Sequence, residues 1–389
     1  MKNWQITGFL VILILGFLLM SGCTSTGSPS AAPSTPPPSP NQPTPPTTVR
    51  VAIDSQIIPN KSGSNVPLAQ ITPEPVNLTS KNEQIKTFAE SIRKIQKTGT
   101  IPIIDVEFHY DGGMDLGKLI DNMNRNGVAL TWLGPNEKQG SEESIRLNTV
   151  YPDKFVPTTV HGDGQKWHGS DTDFLDKLDG EIRSGNYFAM GEFEGRHYPS
   201  NTNNRDIHMP LNSTAFEIVF QTSSDTGVPF LIHHEAEDAM LPELESMLTK
   251  YPKAKVVWCH FGRNRNYVTW SKFMTPDAPR ALLNKYPNLY FDLLQSQPGE
   301  KYKNGYVEGI MWDTTQGTPS LKPEWKQVIV DYPDRFVLGS DTNGGRFGNY
   351  DQVMNLFRQE ILPEMPKDVA EKIAYKNAWK LMTREDWTE

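Results

Sequence analysis

The sequence is short of cysteine and of positive charge. Its two cysteines, Cys23 and Cys259, exclude a disulfide framework and a zinc site built from four thiolates, so any bound metal must be held by nitrogen and oxygen. Acidic residues outnumber basic ones by 46 to 38, which gives a net charge of −8 and argues against a general nucleic-acid binder. At 37% hydrophobic and 22% charged residues, the composition is that of a globular chain.

The first 22 residues have the pattern of a secretory signal peptide. Lys2 precedes an apolar run, Phe9–Met20, which is shorter than the ~20 residues that a membrane-spanning helix needs. The run ends in Leu19-Met20-Ser21-Gly22-Cys23, which resembles a lipobox, although Met20 stands where leucine is usual. The sequence therefore predicts an extracytoplasmic lipoprotein that is anchored to the membrane through a lipidated Cys23. The alternative is a short uncleaved anchor with an incidental cysteine.

Residues 24–48 contain no charged residue and nine of the 31 prolines. Such a segment cannot bury enough apolar surface to fold and favours extended polyproline II conformations. We therefore predict three regions: a lipoprotein signal peptide over 1–22, a disordered Pro/Ser/Thr-rich linker over 23–48, and a folded domain over 49–389.

Strand-like and helix-like segments alternate along the folded domain. Ser80-Lys81-Asn82-Glu83 forms a capping box ahead of a helical pattern that ends at Gly99. The predicted strands that follow are Ile101–His109, Val128–Leu133, Phe155–His161, Tyr187–Glu192, Val228–His233, Ala254–His260, Leu289–Leu293 and Phe336–Ser340. Eight βα units predict an α/β fold of the (β/α)8, or TIM, barrel type with long loops at its carboxyl-terminal face. A doubly wound open sheet is the alternative, which the lack of a glycine-rich phosphate fingerprint after the first strand disfavours.

Five of the eight predicted strands carry a plausible metal ligand, histidine or carboxylate, at or just after their carboxyl ends. Because side chains alternate along a strand, Glu107 and His109 at the end of the first strand lie on one face and can bind a single ion. The fourth, fifth, sixth and eighth strands end in Glu192, His233, His260 and Asp341. Catalytic groups of barrels come from these strand ends. Imidazole and carboxylate without thiolate suit Zn, Mn, Fe or Ni in an open, catalytic coordination sphere.

The order and spacing of these motifs resemble the amidohydrolase superfamily, and within it the amidohydrolase-related branch of metal-dependent hydrolases and decarboxylases. The resemblance covers about residues 100–383. Its motifs are Ile104-Asp105-x-Glu107-x-His109, Pro229-x-x-x-His233, His260-x-Gly262, Gly339-Ser340-Asp341 and Asn377-Ala378-Trp379-Lys380-Leu381. The resemblance implies metal ligation by Glu107, His109, His233 and Asp341. It also implies that His260 acts as an electrophile or as a ligand of a second metal, and that Glu192 occupies the position that bridges two metals in some members.

Glu107 departs from the commonest family pattern, which has histidine at this position. A carboxylate keeps metal binding and favours Zn or Mn, yet the same variant is familiar among the non-oxidative decarboxylases of the branch. The resemblance implies a hydrolase in which metal-activated water attacks an amide, ester or lactone carbonyl. Asp341 would take the water's proton and His260 would stabilise the oxyanion.

Two other functions stay open. They are metal-dependent decarboxylation of an aromatic or unsaturated acid, and solute binding by a lipoprotein that has lost catalysis. The number of metal ions is also open, and barrels of this branch are often homodimers.

Arginines in the long loops after the strands predict a small, anionic substrate. Arg196, Arg263 and Arg346 can bind a carboxylate or phosphate through the guanidinium fork. The alternative is that they pair with loop acids such as Asp206. His234 follows His233 and should point away from the barrel axis, unless the register differs by one residue.

Overall fold

The structure is a computed structural model that describes residues 57–59, 65–67, 80–201, 203–261, 263–266, 271–294 and 298–389. The chain divides into two units, Met1–Asp54 and Ser55–Glu389, and all described residues belong to the second. The predicted signal peptide, Cys23 and the proline-rich linker lie outside the described residues. Among the described residues, none of the helices has the length and apolar character that crossing a membrane requires.

Short strands and helices alternate along the described chain. The strands are β1 (Ile57–Pro59), β2 (Asn65–Pro67), β3 (Ile103–Tyr110), β4 (Val128–Pro135), β5 (Phe155–Pro157), β6 (Met190–His197), β7 (Ile207–His208), β8 (Phe230–His234), β9 (Val256–Trp258), β10 (Leu289–Asp292), β11 (Trp312–Asp313), β12 (Ser320–Leu321) and β13 (Phe336–Val337). The α-helices are α1 (Lys81–Gln96), α2 (Leu116–Arg125), α3 (Glu142–Val150), α4 (Gln165–His168), α5 (Thr172–Arg183), α6 (Thr214–Thr226), α7 (Leu241–Lys250), α8 (Asp277–Lys285), α9 (Pro323–Asp331), α10 (Tyr350–Leu356), α11 (Lys367–Glu371) and α12 (Asn377–Thr383).

The principal strands are parallel, as the alternation with helices predicts. One sheet has the order β13-β10-β9-β8-β6-β7 and another the order β3-β4-β5, and within them only β7 runs antiparallel to its neighbour. Isolated parallel bridges add Thr158 to Ala189 and Asp105 to Leu338. Each of the eight predicted strands overlaps one of these parallel strands, so the predicted α/β class is confirmed.

Burial on both faces explains the apolar sequences of the strands. Every residue of β4 and of β6 is buried. Helices cover the sheets with one apolar face each, and α5 buries Phe174, Leu175, Leu178 and Ile182. Helix α1 begins with the predicted capping box, in which the Ser80 side chain accepts from the Glu83 amide and the Glu83 carboxylate accepts from the Ser80 amide.

Two strands that lead to the site end earlier than the sequence predicts. Strand β9 ends at Trp258 rather than at His260, and β13 ends at Val337 rather than at Ser340. The physical reason is a change of backbone conformation, because His260 (φ 61°) and Asp341 (φ 45°) both adopt the left-handed region, which does not continue a strand.

Helix α12 is hydrogen-bonded to the chain at the start of β13. The Asn377 side-chain amide donates to the carbonyl oxygens of Pro333 (2.7 Å) and Phe336 (2.8 Å). Asn377 belongs to the terminal motif that the sequence analysis singled out, and its contacts fix the entry to the strand that precedes Asp341.

Candidate active site

A polar cavity of about 540 Å³ lies at the carboxyl ends of the parallel strands. Its lining contains most of the residues that the sequence predicts for the site: His109, Glu192, His233, Arg263, Asp341 and Arg346. Glu107 and His260 lie beneath them, 1% and 2% exposed. The strand ends therefore converge as a parallel α/β architecture requires.

Glu192 is the centre of the cluster. One carboxylate oxygen, Oε1, lies 3.0 Å from His233 Nδ1 and 3.3 Å from His260 Nε2, and the other, Oε2, lies 3.4 Å from His109 Nε2. Three imidazoles from three different strand ends thus meet one carboxylate. The predicted bridging position of Glu192 agrees with this geometry.

His109 joins two further carboxylates to this centre. Its Nε2 lies 3.3 Å from Asp341 Oδ1 and 3.9 Å from Glu107 Oε1. Ligand atoms of Glu107, His109, Glu192 and Asp341 all lie within 4.8 Å of one another. The structure therefore brings together all five residues that the sequence predicts as metal ligands, since His233 is already in contact with Glu192.

The residues present fit a divalent cation. Both carboxylate oxygens of Glu107 and the Nε2 of His109 are buried without a hydrogen-bond partner among the residues that the structure describes. A buried, unpaired carboxylate is costly, and a bound divalent cation would satisfy such groups. Nitrogen and carboxylate oxygen are also the donor types that Zn and Mn accept.

Burial and nearby charges shift the pKa values of Glu107 and Glu192 in opposite directions. Burial, together with the negative charges of Asp292, Glu192 and Asp341, raises the pKa of Glu107 well above its usual range. Burial would also raise the pKa of Glu192, but attraction to His233 and hydrogen bonds from the neighbouring histidines hold that pKa well below the usual range. A cation at this centre would take over the compensation that protons otherwise provide.

The backbone is strained at the two residues predicted to be catalytic. His260 and Asp341 are buried, non-glycine residues with positive φ, a conformation that costs about 1–3 kcal/mol. Ser170 and Arg384 also have positive φ, but neither is buried. Strain that the surroundings maintain at buried, ionisable residues is typical of functional sites.

An arginine fixes the orientation of His233. Arg265 Nη2 lies 2.7 Å from His233 Nε2, and because arginine can only donate, Nε2 accepts and Nδ1 carries the hydrogen that faces Glu192. Arg265 is held in turn by Glu235, which accepts from its Nε (2.6 Å) and its backbone amide (2.7 Å). Nothing in the sequence motifs singled out Glu235 or the role of Arg265.

His234 lies outside the cluster, as the alternation of side chains predicts. It is buried and neither ring nitrogen has a hydrogen-bond partner among the described residues. Its ring packs beside Trp258, with ring centroids 6.0 Å apart. Burial lowers the pKa of His234 to about 3, which keeps the ring neutral at ordinary pH.

Of the three arginines predicted to bind substrate, Arg196 is buried at the end of β6, whereas Arg263 and Arg346 line the cavity. Arg196 does not line the cavity; its Nη1 donates to Asp206 (2.5 Å), and its guanidinium lies over the ring of Tyr198. The prediction of substrate contact by Arg196 is therefore not met, and the alternative pairing with a loop acid holds there. Arg346 lines the cavity but is paired with both oxygens of Asp341.

Several residues of the cavity and the cluster were given no role from the sequence, among them two arginines and two aspartates. Arg205 and Arg265 line the cavity, and Asp105 and Asp292 are fully buried behind the cluster. Asp292 ends the strand β10, so the signal that identified Glu192, a carboxylate at the end of an apolar run, was present in the sequence for it too. The arginines lie in loops without a spacing that would distinguish them.

A comparison with known families places this geometry in context. Residues 203–382 match the family model described as Amidohydrolase. The chain resembles the amidohydrolases. This confirms the resemblance predicted from the motifs and, with the candidate ligand group, the predicted class of metal-dependent hydrolase and its divalent metal ion. The match includes His233, His260 and Asp341, whereas Glu107 and Glu192 precede it.

Several solved structures show a remote likeness to the chain. A dihydroorotase from Campylobacter jejuni is 15% identical, with 74% of this chain and 85% of that chain covered and a TM-score of 0.44. Amidohydrolase 2 from Bifidobacterium longum subsp. infantis is 16% identical, with 73% and 99% covered and a TM-score of 0.39. A zinc-bound amidohydrolase from Burkholderia multivorans is 12% identical, with 72% and 98% covered and a TM-score of 0.43. No curated protein matches the sequence.

The burial of His234 predicts a pH-dependent stability. The pKa of this histidine is about 3 in the folded state and ~6.5 when unfolded, so between these values the unfolded state binds one more proton. The free energy of unfolding should therefore fall as pH falls, by about 2 kcal/mol from pH 7.5 to 5.0 for this group.

Urea unfolding of wild type and His234→Gln at the two pH values measures this contribution. The variant should show the smaller decrease, while the exposed-site control His208→Gln should follow the wild type. Equal decreases in wild type and His234→Gln would contradict a buried, neutral His234.

Proposed function

We propose that this protein is a metal-dependent hydrolase that attacks an amide, ester or lactone carbonyl of a small, anionic substrate. One observation carries the proposal: three histidines and three carboxylates from five strand ends meet at the floor of one polar cavity. The amidohydrolase match over residues 203–382 supports the same class of reaction.

The proposed architecture is a closed (β/α)8 barrel. Parallel pairing runs through β3-β4-β5 and through β6-β8-β9-β10-β13. The bridge from Thr158 to Ala189 supports a junction between these sheets on one side, and the bridge from Asp105 to Leu338 supports one on the other. Closure would place the cavity at the carboxyl-terminal face, where barrel enzymes carry their active sites.

The ligand sets overlap at Glu192. Glu107, His109, Glu192 and Asp341 would hold one divalent cation, and Glu192, His233 and His260 form a neighbouring group that could hold another. A bound divalent cation polarises a carbonyl group and makes water more acidic.

Asp341 is the residue best suited to accept the proton of the attacking water. Burial opposes its ionisation, but the positive charge of the adjacent Arg346 guanidinium holds the pKa of Asp341 well below its usual range. The carboxylate is therefore anionic at neutral pH and can act as a base. Because Arg346 occupies both its oxygens, a substrate anion that attracts Arg346 would release them.

His260 is placed to stabilise negative charge on the substrate. Burial and the positive charge of Arg263 lower the pKa of His260 to about 3, so the ring stays neutral. Its Nε2 faces the cluster, 3.3 Å from Glu192 and 3.7 Å from Glu107. A neutral imidazole at this position can donate one hydrogen bond to a developing oxyanion.

Arg263 supports an anionic substrate. This arginine lines the cavity and is 6% exposed. Its Nε donates to the fully buried carboxylate of Glu308 (3.0 Å), and no hydrogen bond joins its two terminal nitrogens to another described residue. A guanidinium held in this way matches the geometry of a carboxylate or phosphate.

We also propose that the enzyme works outside the cytoplasm, tethered through a lipidated Cys23. The support lies in the amino-terminal sequence alone: an apolar run, small residues before the cysteine, and an uncharged proline-rich spacer.

Metal analysis and turnover test the proposed chemistry. The purified protein should contain about one or two divalent ions per chain by mass spectrometry and hydrolyse activated esters or lactones. Glu107→Ala and His233→Ala should lose metal and activity, whereas the control His208→Gln, at an exposed position of β7, should keep both. His260→Ala should lower kcat by about 10²–10³-fold.

Other results would overturn the proposal in different ways. Metal-dependent CO2 release from hydroxybenzoates without ester or lactone hydrolysis would identify a decarboxylase. Tight ligand binding without turnover under any divalent metal would identify a binding protein. Absence of bound metal after reconstitution would exclude the metal-dependent mechanism.

The role of Arg263 predicts a charge-dependent loss of affinity. The double variant Arg263→Met/Glu308→Gln removes the guanidinium without leaving a buried anion unpaired. Its KM for an anionic ester should rise about 10–100-fold, the equivalent of one charge-assisted interaction, while KM for a neutral analogue changes little. Arg196→Met serves as the control, since Arg196 does not line the cavity. Equal effects on both esters would contradict substrate contact by Arg263.

Lipidation of Cys23 predicts where the protein partitions. In the native host, the wild type should partition into the detergent phase and incorporate labelled fatty acid, and Cys23→Ala should do neither. Detergent partitioning of Cys23→Ala equal to that of wild type would favour an uncleaved anchor instead.

A further inference from the structure

Two buried aspartates stand behind the two strained residues of the site. Asp105 and Asp292 are each 0% exposed and neither lines the cavity. Each lies on the strand next to the one that precedes a left-handed residue: Asp292 on β10 beside β9, and Asp105 on β3 beside the residues that follow β13. The arrangement occurs twice, once for His260 and once for Asp341.

Asp292 fixes the backbone at His260. Its carboxylate Oδ1 accepts from the amide of His260 (3.2 Å) and from the amide of Leu294 (2.7 Å). Its carbonyl oxygen accepts from the amide of Phe261 (3.1 Å). The preceding amide, that of Cys259, instead donates to Ile232 on β8 (2.9 Å). The chain thus changes bonding partner from one neighbouring strand to the other at His260, and Asp292 supplies both acceptors on the new side.

Asp105 fixes the backbone before Asp341 in a corresponding way. Its Oδ1 accepts from the amides of Ser340 (2.8 Å) and Glu107 (3.3 Å). The Glu107 carbonyl then accepts from the amide of Asp341 (2.9 Å) and from the Ser340 hydroxyl (3.1 Å). The conformation of Asp341 is thereby tied to the strand that carries the ligands Glu107 and His109.

We propose that Asp105 and Asp292 are positioning residues, which hold Asp341 and His260 in the left-handed conformation that directs their side chains into the site. The inference rests on the proposed function for the roles of His260 and Asp341. In neither case does the aspartate touch the substrate, because both lie behind the cluster.

A competing role for Asp292 is direct metal ligation. Its second oxygen, Oδ2, has no hydrogen-bond partner, and Asp292 forms a possible ligand group with Glu107 and His260. An Asp292→Asn substitution distinguishes the two roles, because positioning needs only the Oδ1 acceptor whereas metal ligation needs the negative charge. Asparagine keeps the Oδ1 acceptor for the two amides but removes the charge that a metal ligand needs.

The test compares Asp292→Asn with Asp292→Ala. For positioning, the alanine variant should lower kcat about 10–100-fold with KM within about twofold of wild type, and asparagine should restore kcat to within about threefold. Metal content should equal that of wild type in the asparagine variant. Loss of metal in Asp292→Asn as complete as in Asp292→Ala would overturn positioning in favour of ligation.

Amide hydrogen exchange gives a readout that does not depend on turnover. The amide of His260 should be protected in wild type and in Asp292→Asn and should exchange faster in Asp292→Ala. If the protein hydrolyses none of the substrates, the proposed function fails while this exchange result still decides the positioning role. Unchanged protection of His260 in Asp292→Ala would overturn it.

Asn288→Ala is the matched control for a merely structural loss. Asn288 is buried just before β10 and its side-chain amide donates to the carbonyls of Leu248 (3.3 Å) and Tyr251 (3.0 Å), away from the site. This variant should lose stability while kcat and protection of His260 stay at wild-type values. The pair Asp105→Asn and Asp105→Ala, read at the amide of Ser340, repeats the test for the second aspartate.

Discussion

The attraction between Glu192 and the imidazoles around it is the interaction on which the site depends. Without it, the buried carboxylates at the strand ends would repel one another at close range in a medium that screens charge poorly. Glu192 contacts histidines from three strands, so its carboxylate links parts of the chain that are far apart in sequence. The same contacts of Glu192 therefore fix the relative positions of these strands and balance the charges of the cavity.

The arginines around the cavity complete this balance. Arg205 pairs with Glu194, Arg263 with Glu308, and Arg265 with Glu235, while Arg346 pairs with Asp341. Three of these pairings hold an arginine against a carboxylate that is not a predicted metal ligand. The fourth, with Asp341, holds a predicted catalytic group. Three of the four guanidinium groups are thus held by carboxylates outside the predicted ligand set. The proposed reaction would have to break the fourth pair, Arg346 with Asp341.

Strand positions and strand-end residues could be read from the sequence because both follow from local rules. A parallel strand with two buried faces is an apolar run, and the ionisable residue at its end marks the point where burial gives way to the cavity. This logic located Glu107, His109, Glu192, His233, His260 and Asp341 without any knowledge of distances. It also distinguished His233 from His234, since alternate side chains of a strand point to opposite faces.

The remaining features depend on contacts between distant segments. Arg196 and Arg263 have the same chemical character in the sequence. Only the fold shows that the buried Arg196 pairs with the exposed Asp206 outside the cavity lining, while Arg263 pairs with Glu308 beside the cavity. The left-handed conformations of His260 and Asp341 are equally invisible in the sequence, because neither residue is glycine and the bonds that stabilise them come from neighbouring strands.

The bond between Asp105 and Ser340 has a consequence for the order in which the protein is made. These residues are 235 positions apart in the chain, and the bond joins an early strand to the segment that carries Asp341. During synthesis, the Asp105 carboxylate cannot accept from the Ser340 amide until that late segment has emerged. Contacts of such long range also slow folding. The segment that carries Asp341 can therefore join β3 only after most of the domain has been synthesised, although β3 is among the first strands of the domain.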